Sequence, residues 1–504
     1  AQAGPVIHFD AGSRCRKSDK AIIQTCLLDM DRYSTYIDDF IPSVHDAGRI
    51  FNREMALKYI ATLTRSKTVP HVIDLLTNHF LPHVGEMNYG DKAYFLGHMV
   101  RELLKVYKKE AAPTDRDSFR FKRIELPGSL ISDLFKEYYA EQQKKLFQTI
   151  DKRYLYKRGQ YSRTPDAFSN LILKDSDELF ADRIVETGFR KAFKGNWGAS
   201  AHTKRLGVIQ ALNRLSYNAA VSHLRKINLP LDASAKVIGP RLLHSSQWGI
   251  IDPVDTPDGG NVGLHKHMTI AARITSGCPA KEIEDWLFET VGATPLSQTS
   301  TTAIGLSTKL LVNGRWIGTV TDPQTATRAI VDARRVGVIE PFTSVFWNIR
   351  AQTIEVSTDA GRLCRPVFYV TDGSPSYDGE PWGGARAMVE RRFAWSAMID
   401  PGKREGACGI DTKIKANGPK AAIEFLDTSE EESALIATEA GLLGSKPYTH
   451  LEIHPSFILG VMGNQVVFPE NNQLPRDLFA CGQMRQAVSL YHSNFQTRID
   501  KMGV

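Results

Sequence analysis

Apolar residues recur at three- and four-residue spacing through most of the first 180 positions, the pattern of helices that bury one face. The stretches Ala21 to Met30, Met55 to Thr64, His71 to His79, Lys92 to Lys108 and Leu130 to Ile150 carry it, and Pro70, Pro82, Pro113 and Pro127 punctuate them. The run from Ile184 to Val221 reads as helical in parts. It breaks at Gly195-Asn196-Trp197-Gly198, where two glycines make helix costly. From Asn228 to about Gly263 the chain turns rich in Pro, Gly, Asp and Ser around short apolar runs, which predicts strands and structured loops. Between Ile274 and Pro366 the pattern is that of a small mixed domain. It predicts a helix over Ala280 to Thr290, a Ser/Thr-rich loop over Thr294 to Thr302 and a hairpin over Leu310 to Ile317 that turns at Asn313-Gly314, the pair a type I′ turn prefers. A second helix over Pro323 to Val336 and strands around Ile349 to Val356 and Arg365 to Val370 follow. Thr371 to Gly384, with its Asp-Gly, Ser-Pro and Trp-Gly-Gly sequences, reads as an exposed loop or linker. No repeat at a spacing of about 20 to 50 residues is present. The whole predicts an α+β multidomain chain, with a helical N-terminal part and mixed domains after it.

Composition adds scale. At about 100 to 200 residues per domain, 504 residues ask for about three to five domains. With 42% apolar and 24% charged residues the chain is globular rather than disordered. No basic segment followed by an apolar run opens it, and no stretch of about 18 apolar residues interrupts it, so a soluble intracellular protein is expected. Cys15, Cys26, Cys278, Cys364, Cys408 and Cys481 are scattered, without the close pairing of a zinc or redox site, and each reads as a small buried apolar residue.

Charge changes the picture further. From Thr187 to Gly249, ten basic residues (Arg190, Lys191, Lys194, Lys204, Arg205, Arg214, Arg225, Lys226, Lys236, Arg241) face the single acid Asp232. That segment is +9 within a chain of +7, which leaves the rest near neutral. Phe193, Trp197 and Tyr217 lie among these residues, the mixture expected of a surface that follows phosphates. A merely solvated helix face would carry compensating acids at helical spacing, and here they are missing.

Glycine loops for nucleotides, paired-histidine zinc helices and serine nucleophile elbows are absent from the sequence, which excludes a stand-alone nucleotide hydrolase, dehydrogenase, metalloprotease or esterase. His79 with His83 and His265 with His267 have metal-compatible spacing, but no nearby ligands complete a set, and Pro82 interrupts the first pair's helix. Asp252, Asp255 and Asp258 could hold a hard cation through oxygen; Asp-Pro and Pro-Asp-Gly are also turn formers, and turn chemistry is the reading preferred. Asp29 with Asp31, Asp175 with Asp177, and Glu430 to Glu432 read as helix caps or solvated acids.

The segment from Pro240-Arg241-Leu242-Leu243-His244 through Trp248-Gly249-Ile250-Ile251-Asp252-Pro253-Val254-Asp255-Thr256-Pro257-Asp258-Gly259-Gly260 to Gly263-Leu264 resembles the fork region of the second-largest, β-like subunit of multisubunit DNA-dependent RNA polymerases. Asp115 to Phe119, Gly195 to Gly198, Leu212 to Arg214, Ser222 to Arg225, Thr358 to Arg362, Glu430 to Ser433, Glu452 to Ser456 and Asn472 to Arg476 resemble further blocks of that family in the same order. The resemblance implies part of the lobe over 1–114, the returning part of the protrusion over 115–190, the fork over 191–272, external region 1 over 273–365, external region 2 over 366–450 and the start of the hybrid-binding region over 451–504. Against the family the chain is short at both ends, and a fragment or one piece of a split subunit is expected.

The function implied is template-directed RNA synthesis by a DNA-directed RNA polymerase, a nucleotidyltransferase active only as a multisubunit complex. Mg²⁺ would be held mainly by the largest subunit, so no catalytic residue and no metal ligand is assigned within this chain. Arg476 resembles the arginine that contacts the triphosphate of the incoming nucleotide, a role suited to a guanidinium that neutralises charge on leaving pyrophosphate. Arg485 and Gln486 resemble contacts to the RNA–DNA hybrid, and Arg225, Lys226 and Lys236 belong to the basic segment expected to meet nucleic acid. Arg241, His244 and Asp258 resemble residues that brace the loop beside the active site. Asp255 and Asp258 stand where glutamate is commoner in cellular enzymes, a hint of a divergent lineage such as a large DNA virus. The partners implied are the largest and smaller polymerase subunits, the DNA template and the RNA product, without a membrane, in the nucleus, or in the cytoplasm for a viral or prokaryotic-like enzyme. The alternative is a non-catalytic nucleic-acid-binding scaffold built from the same modules; a metabolic enzyme of mixed fold would have to lack nucleic-acid binding.

Overall fold

The computed structural model describes residues 52–64, 66–156, 182–299, 307–401 and 418–487, with positions 39, 42, 50, 169, 173, 176–179 and 410 besides. The helix expected over Ala21 to Met30, Cys15, Cys26, Cys408, Asp29, Asp31, Asp175 and the end of the Thr294 to Thr302 loop lie outside the described residues. The chain folds as two compact units. One comprises Ala1–Lys122, Lys236–Pro253 and Met268–Leu459, the other Arg123–Ala235, Val254–His267 and Gly460–Val504. Among the described residues no helix is long and apolar enough to cross a membrane.

The first unit is built on two sheets. A five-stranded sheet runs in the order Thr294–Pro295, Arg315–Val320, Thr308–Val312, Thr353–Ser357, Ser344–Asn348, and only the central Thr308–Val312 and Thr353–Ser357 pair is parallel. Its hairpin turns as expected at Asn313 (φ 49°) and Gly314 (φ 79°). The helices Ala280–Glu289 and Pro323–Val336 bury Ile283, Leu287 and Ile330 against Leu310, Val312, Ile354 and Val356. Asp322 caps the second helix by accepting from the N–H groups of Gln324 and Thr325, and Gly337 ends it at φ 91°. The strand expected around Ile349 to Val356 begins only at Thr353, because residues 349–352 form the turn that joins it to Ser344–Asn348.

The second sheet is organised around the nine-residue strand Leu363–Thr371, which pairs with Arg273–Ile274, Ser374–Pro375, Ile423–Asp427 and His450–Leu451. Thr371 to Gly384 forms a largely exposed loop, as its composition predicts, but it is anchored at two points. Ser374–Pro375 continues the sheet, and Trp382 is 3% exposed, stacked edge-on against Phe393 with its indole N–H donating to the Lys420 carbonyl at 3.0 Å. The buried indole anchors the loop while the turn residues around it stay exposed. The helices expected near the N-terminus form as Arg53–Leu63, Val69–Asp74 and Tyr89–Tyr107; the second passes into a π-helical turn over Leu75–His79 before the chain reaches Pro82. His83 packs edge-on against Phe95.

The other unit is mainly helical. Pro127–Tyr156 packs against Ile184–Phe193, burying Leu134, Tyr138, Ala192 and Trp197. The expected break after the second helix is tightly specified: at Gly198 (φ 100°) a Cβ would lie 2.3 Å from the Thr203 carbonyl oxygen, and the Tyr138 hydroxyl donates to the Gly198 carbonyl. The helix Tyr217–Leu224, capped by Ser216, packs against Leu474–Gln486. Beside them Lys226–Asn228 and His265–His267 form a two-stranded antiparallel ladder. Strands are scarcer after Asn228 than the composition suggested. Gly239–Arg241, Ser245–Gln247 and Gly259–Asn261 are 3₁₀ turns, and Pro240, Pro253 and Pro257 supply no N–H for a ladder.

A candidate nucleic-acid interface

The C-terminal end of Leu474–Gln486 and the two-stranded ladder bring two of the expected basic residues together. Lys226 opens the first strand, opposite His267 in register. Arg485, in the last turn of the helix, donates to the carboxylate of Asp255, which is only 2% exposed. His267 lies on the other side of that acid: its Nδ1 is 2.9 Å from the Asp255 carbonyl oxygen and 3.3 Å from the carboxylate. Burial pushes the His267 imidazole down to about 4, so it is neutral at pH 7 and donates its Nδ1 proton to the carbonyl. Burial also pushes the Asp255 carboxyl up, opposed by the charges of Arg485 and Lys226. Lys226 is half-buried, and burial followed by repulsion from Arg485 lowers its pKa.

These contacts correct two expectations. Asp255 is neither a solvent-facing turn former nor part of a three-carboxylate cation site; it is a buried counter-ion to Arg485, a pairing between residues 230 positions apart that local spacing could not reveal. The basic stretch also has its acids, one at helical spacing just before it (Glu186) and one from farther back in the chain (Glu125). Arg205 forms a bidentate pair with Glu125 at 2.7 and 2.8 Å, and Arg190 pairs with Glu186 at 2.6 Å.

Of the remaining candidates in this unit, Arg225 and Gln486 adjoin Lys226 and Arg485 along the chain. Arg476 is exposed in the first turn of its helix. Nine residues of helix turn the chain by about two and a half revolutions over about 13 Å, so Arg476 and Arg485 project from opposite sides. Gln486 is exposed, Arg225 is half-buried at the C-terminus of Tyr217–Leu224, and Asp258 is exposed before the Gly259–Asn261 turn.

In the first unit, His244 joins a chain of contacts within its loop and to Asp115. Its Nε2 lies 2.6 Å from Asp115, while its Nδ1 accepts from the Ser246 N–H; Ser246 Oγ in turn accepts from the Phe119 N–H at 2.9 Å. The Nε2–H tautomer satisfies every partner in this chain of contacts. The Asp117 N–H and then His244 hold the Asp115 carboxyl below the usual carboxylate range. Arg241 ends the adjoining Gly239–Arg241 turn, and Lys236 is exposed.

Directly behind this loop lies an arginine–carboxylate network that the sequence did not disclose. Gly249 has φ 65°, and a Cβ there would stand 2.6 Å from the Arg365 guanidinium. Arg365 is buried and donates to Glu452 at 2.6 and 2.8 Å and to Glu431 at 2.9 Å. Arg362 reaches Asp427, Arg334 reaches Glu430 and Glu424, and Arg335 is bidentate to Glu424. Burial pushes Glu431 up to about 7. Glu424 goes the other way: burial pushes it up, but Arg335, His450 and Arg334 outweigh that and hold it well below the usual range. The reading of Glu430 to Glu432 as caps or solvated acids is therefore wrong for two of them; Glu430 is buried and Glu431 nearly so, while Glu432 is the partially exposed partner of Arg120. The sequence signal was the run of three adjacent acids, whose arginines come from strands and helices distant along the chain. Cys278, Cys364 and Cys481 are buried free thiols, as expected.

The order of these blocks matches known proteins along nearly the whole chain. Family models described as RNA polymerase Rpb2 domain 2, domain 3 and domain 4 match residues 15–125, 210–274 and 310–371 in turn. The DNA-directed RNA polymerase II subunit RPB2 of Encephalitozoon cuniculi is 32% identical over 506 residues, covering 96% of this chain and 41% of that protein. This chain belongs to the second-largest-subunit family of DNA-directed RNA polymerases. The RPB2 of Schizosaccharomyces pombe is 30% identical over 92% of the chain and 40% of its own length, and the archaeal subunit Rpo2 of Saccharolobus shibatae is 29% identical over 96% and 40%. The chain thus spans about two fifths of the length of these curated relatives. For the Mg²⁺ that polymerase chemistry implies, the described residues offer no group of three or more His, Cys, Asp or Glu side chains placed to hold a metal ion. They do not fit a metal site of their own.

Proposed function

We propose that this chain serves as part of the second-largest subunit of a DNA-directed RNA polymerase, in template-directed synthesis of RNA from ribonucleoside triphosphates. The observation that carries the reading is the collinear match to Rpb2-type subunits over 92 to 96% of the chain. The catalytic Mg²⁺ is held mainly by the largest subunit; this chain contributes positioning and charge. Its modules correspond to part of the lobe (1–114), the returning protrusion (115–190), the fork (191–272), external regions 1 (273–365) and 2 (366–450) and the start of the hybrid-binding region (451–504).

Arg476 binds the triphosphate of the incoming nucleotide. Its exposure in the first turn of its helix supports this, since an accessible guanidinium is suited to stabilise the charge that develops on leaving pyrophosphate. Lys226, Lys236, Arg225 and Gln486 contribute to the nucleic-acid surface, and Arg485 lies at the same helix end, paired with Asp255. Arg241 and His244, with Asp258, support the loop beside the active site, and the Asp115–His244–Ser246 contacts favour this role for His244. The partners are the largest and smaller polymerase subunits, template DNA and product RNA, and the nucleus is the compartment that the eukaryotic relatives favour.

The test is to purify the chain natively with what travels with it and assay nucleotide addition. Co-purification with a larger subunit, with Arg476→Ala costing about 2 to 4 kcal/mol in kcat/KM for nucleotide, agrees with the reading. A free chain that binds nucleic acid but supports no template-directed addition with partner subunits supplied would leave a non-catalytic scaffold in its place.

A further inference from the structure

Three charges meet at the end of the Leu474–Gln486 helix, and they do not cancel. Lys226 and Arg485 are cationic, Asp255 is the one carboxylate, and His267 is neutral. The geometry gives Asp255 to Arg485, through direct donation to a carboxylate that is 2% exposed. Lys226 is left without a hydrogen bond or ion pair to its ammonium among the described residues. It is fixed on a strand by the ladder to His267, and half-buried, where an uncompensated charge is costly. The nearby imidazoles carry no negative charge to offset it, and burial first of all holds both His265 and His267 toward the neutral form.

We propose that Asp255 neutralises Arg485 and thereby sets this site to a single surplus positive charge, so that Lys226 is the residue that takes a phosphate of the nucleic-acid backbone and Arg485 is a positioning residue. The inference rests on the polymerase reading for its ligand and refines it: of the two neighbouring cations, only one binds. A paired guanidinium keeps its planar geometry, holding the helix end against the ladder. The unpaired ammonium lacks an anion, which a phosphodiester supplies with minimal geometric demand.

The experiment measures binding of the full chain to a fluorescent oligonucleotide by anisotropy across a salt series, with unlabelled nucleoside triphosphate as competitor in a second arm. Each phosphate contact contributes a slope of about 0.7 to 0.9 in log affinity against log salt. Lys226→Gln should lower the slope by about that amount. Asp255→Asn, which frees Arg485, should raise affinity and steepen the slope by a similar amount, a sign opposite to that of structural damage. The double variant Asp255→Asn with Arg485→Gln restores the single surplus charge as a neutral pair and should keep the wild-type slope; it decides the question if Asp255→Asn alone does not fold. A wild-type slope in Lys226→Gln overturns the proposal, as does a double variant that loses what Lys226→Gln loses, since Arg485 would then be the contact. Displacement of the oligonucleotide by equimolar triphosphate would overturn the backbone assignment in favour of the nucleotide. Failure of the wild-type chain to bind any oligonucleotide would instead overturn the polymerase reading beneath it.

Discussion

Arg365 is the most demanding test of the network behind the His244 loop. Its guanidinium donates to both oxygens of Glu452 and to Glu431, all within a core where the three side chains are 2%, 4% and 12% exposed. Arg365→Gln leaves two buried carboxylates without their cation, a change that costs about 3 to 5 kcal/mol. The cost depends on pH in a defined direction. Glu431 sits at about 7, raised from 4.5, so its neutral form contributes stability that is present below about pH 4.5 and is lost as pH rises through 7. At one pKa unit per about 1.4 kcal/mol this amounts to about 3 kcal/mol over the window. Without Arg365 the carboxyl stays protonated to still higher pH. The variant therefore continues to lose stability between pH 7 and 8, where the wild type no longer does, and the cost of the substitution grows by about 1 kcal/mol. Urea denaturation followed by fluorescence of Trp316 and Trp382, both buried in the same unit, measures this at pH 6 and pH 8. In a Glu431→Gln background the growth should vanish. A cost below about 1 kcal/mol, or one equal at both pH values, would refute the assignment of Arg365 as the cation that Glu431 and Glu452 share.

The other expectations are simpler. Gly249→Ala forces a side chain at φ 65° to within 2.6 Å of the held Arg365 guanidinium, and should destabilise the first unit by about 2 kcal/mol, read as a lower urea midpoint. His244→Ala removes the acceptor for the Ser246 N–H and the donor to Asp115, and should speed hydrogen exchange at Phe119 and Ser246 by roughly tenfold with little change in global stability. Trp382→Ala should cost about 3 to 5 kcal/mol by denaturation, where an exposed linker residue would cost almost nothing.

Much of the local architecture was legible in the sequence. The Asn313-Gly314 turn, the Asp322-Pro323 helix start and the glycine break at 195–198 depend on backbone preferences set by the residues themselves, and each formed where the pattern placed it. The family was legible because motif order survives in the chain. Partnership of charges was not. Asp255 and Arg485 are 230 residues apart, and Arg365 meets acids 66 and 87 residues away; spacing along the chain carries no record of such pairs. Glu431, read locally as a solvated acid, becomes a buried group at about 7 only because sheet pairing of Leu363–Thr371 with Ile423–Asp427 and His450–Leu451 removes water from around it. Trp382, in a loop otherwise largely exposed, is buried only because it joins the cluster of Ile399, Ala422, Ile423 and Phe425. The sequence by itself determined the elements and the lineage, since both reside in short-range residue identity. Which charges are spent inside the fold, and which are left for a ligand, was decided only by the tertiary structure, because desolvation and Coulomb energy depend on neighbours in space.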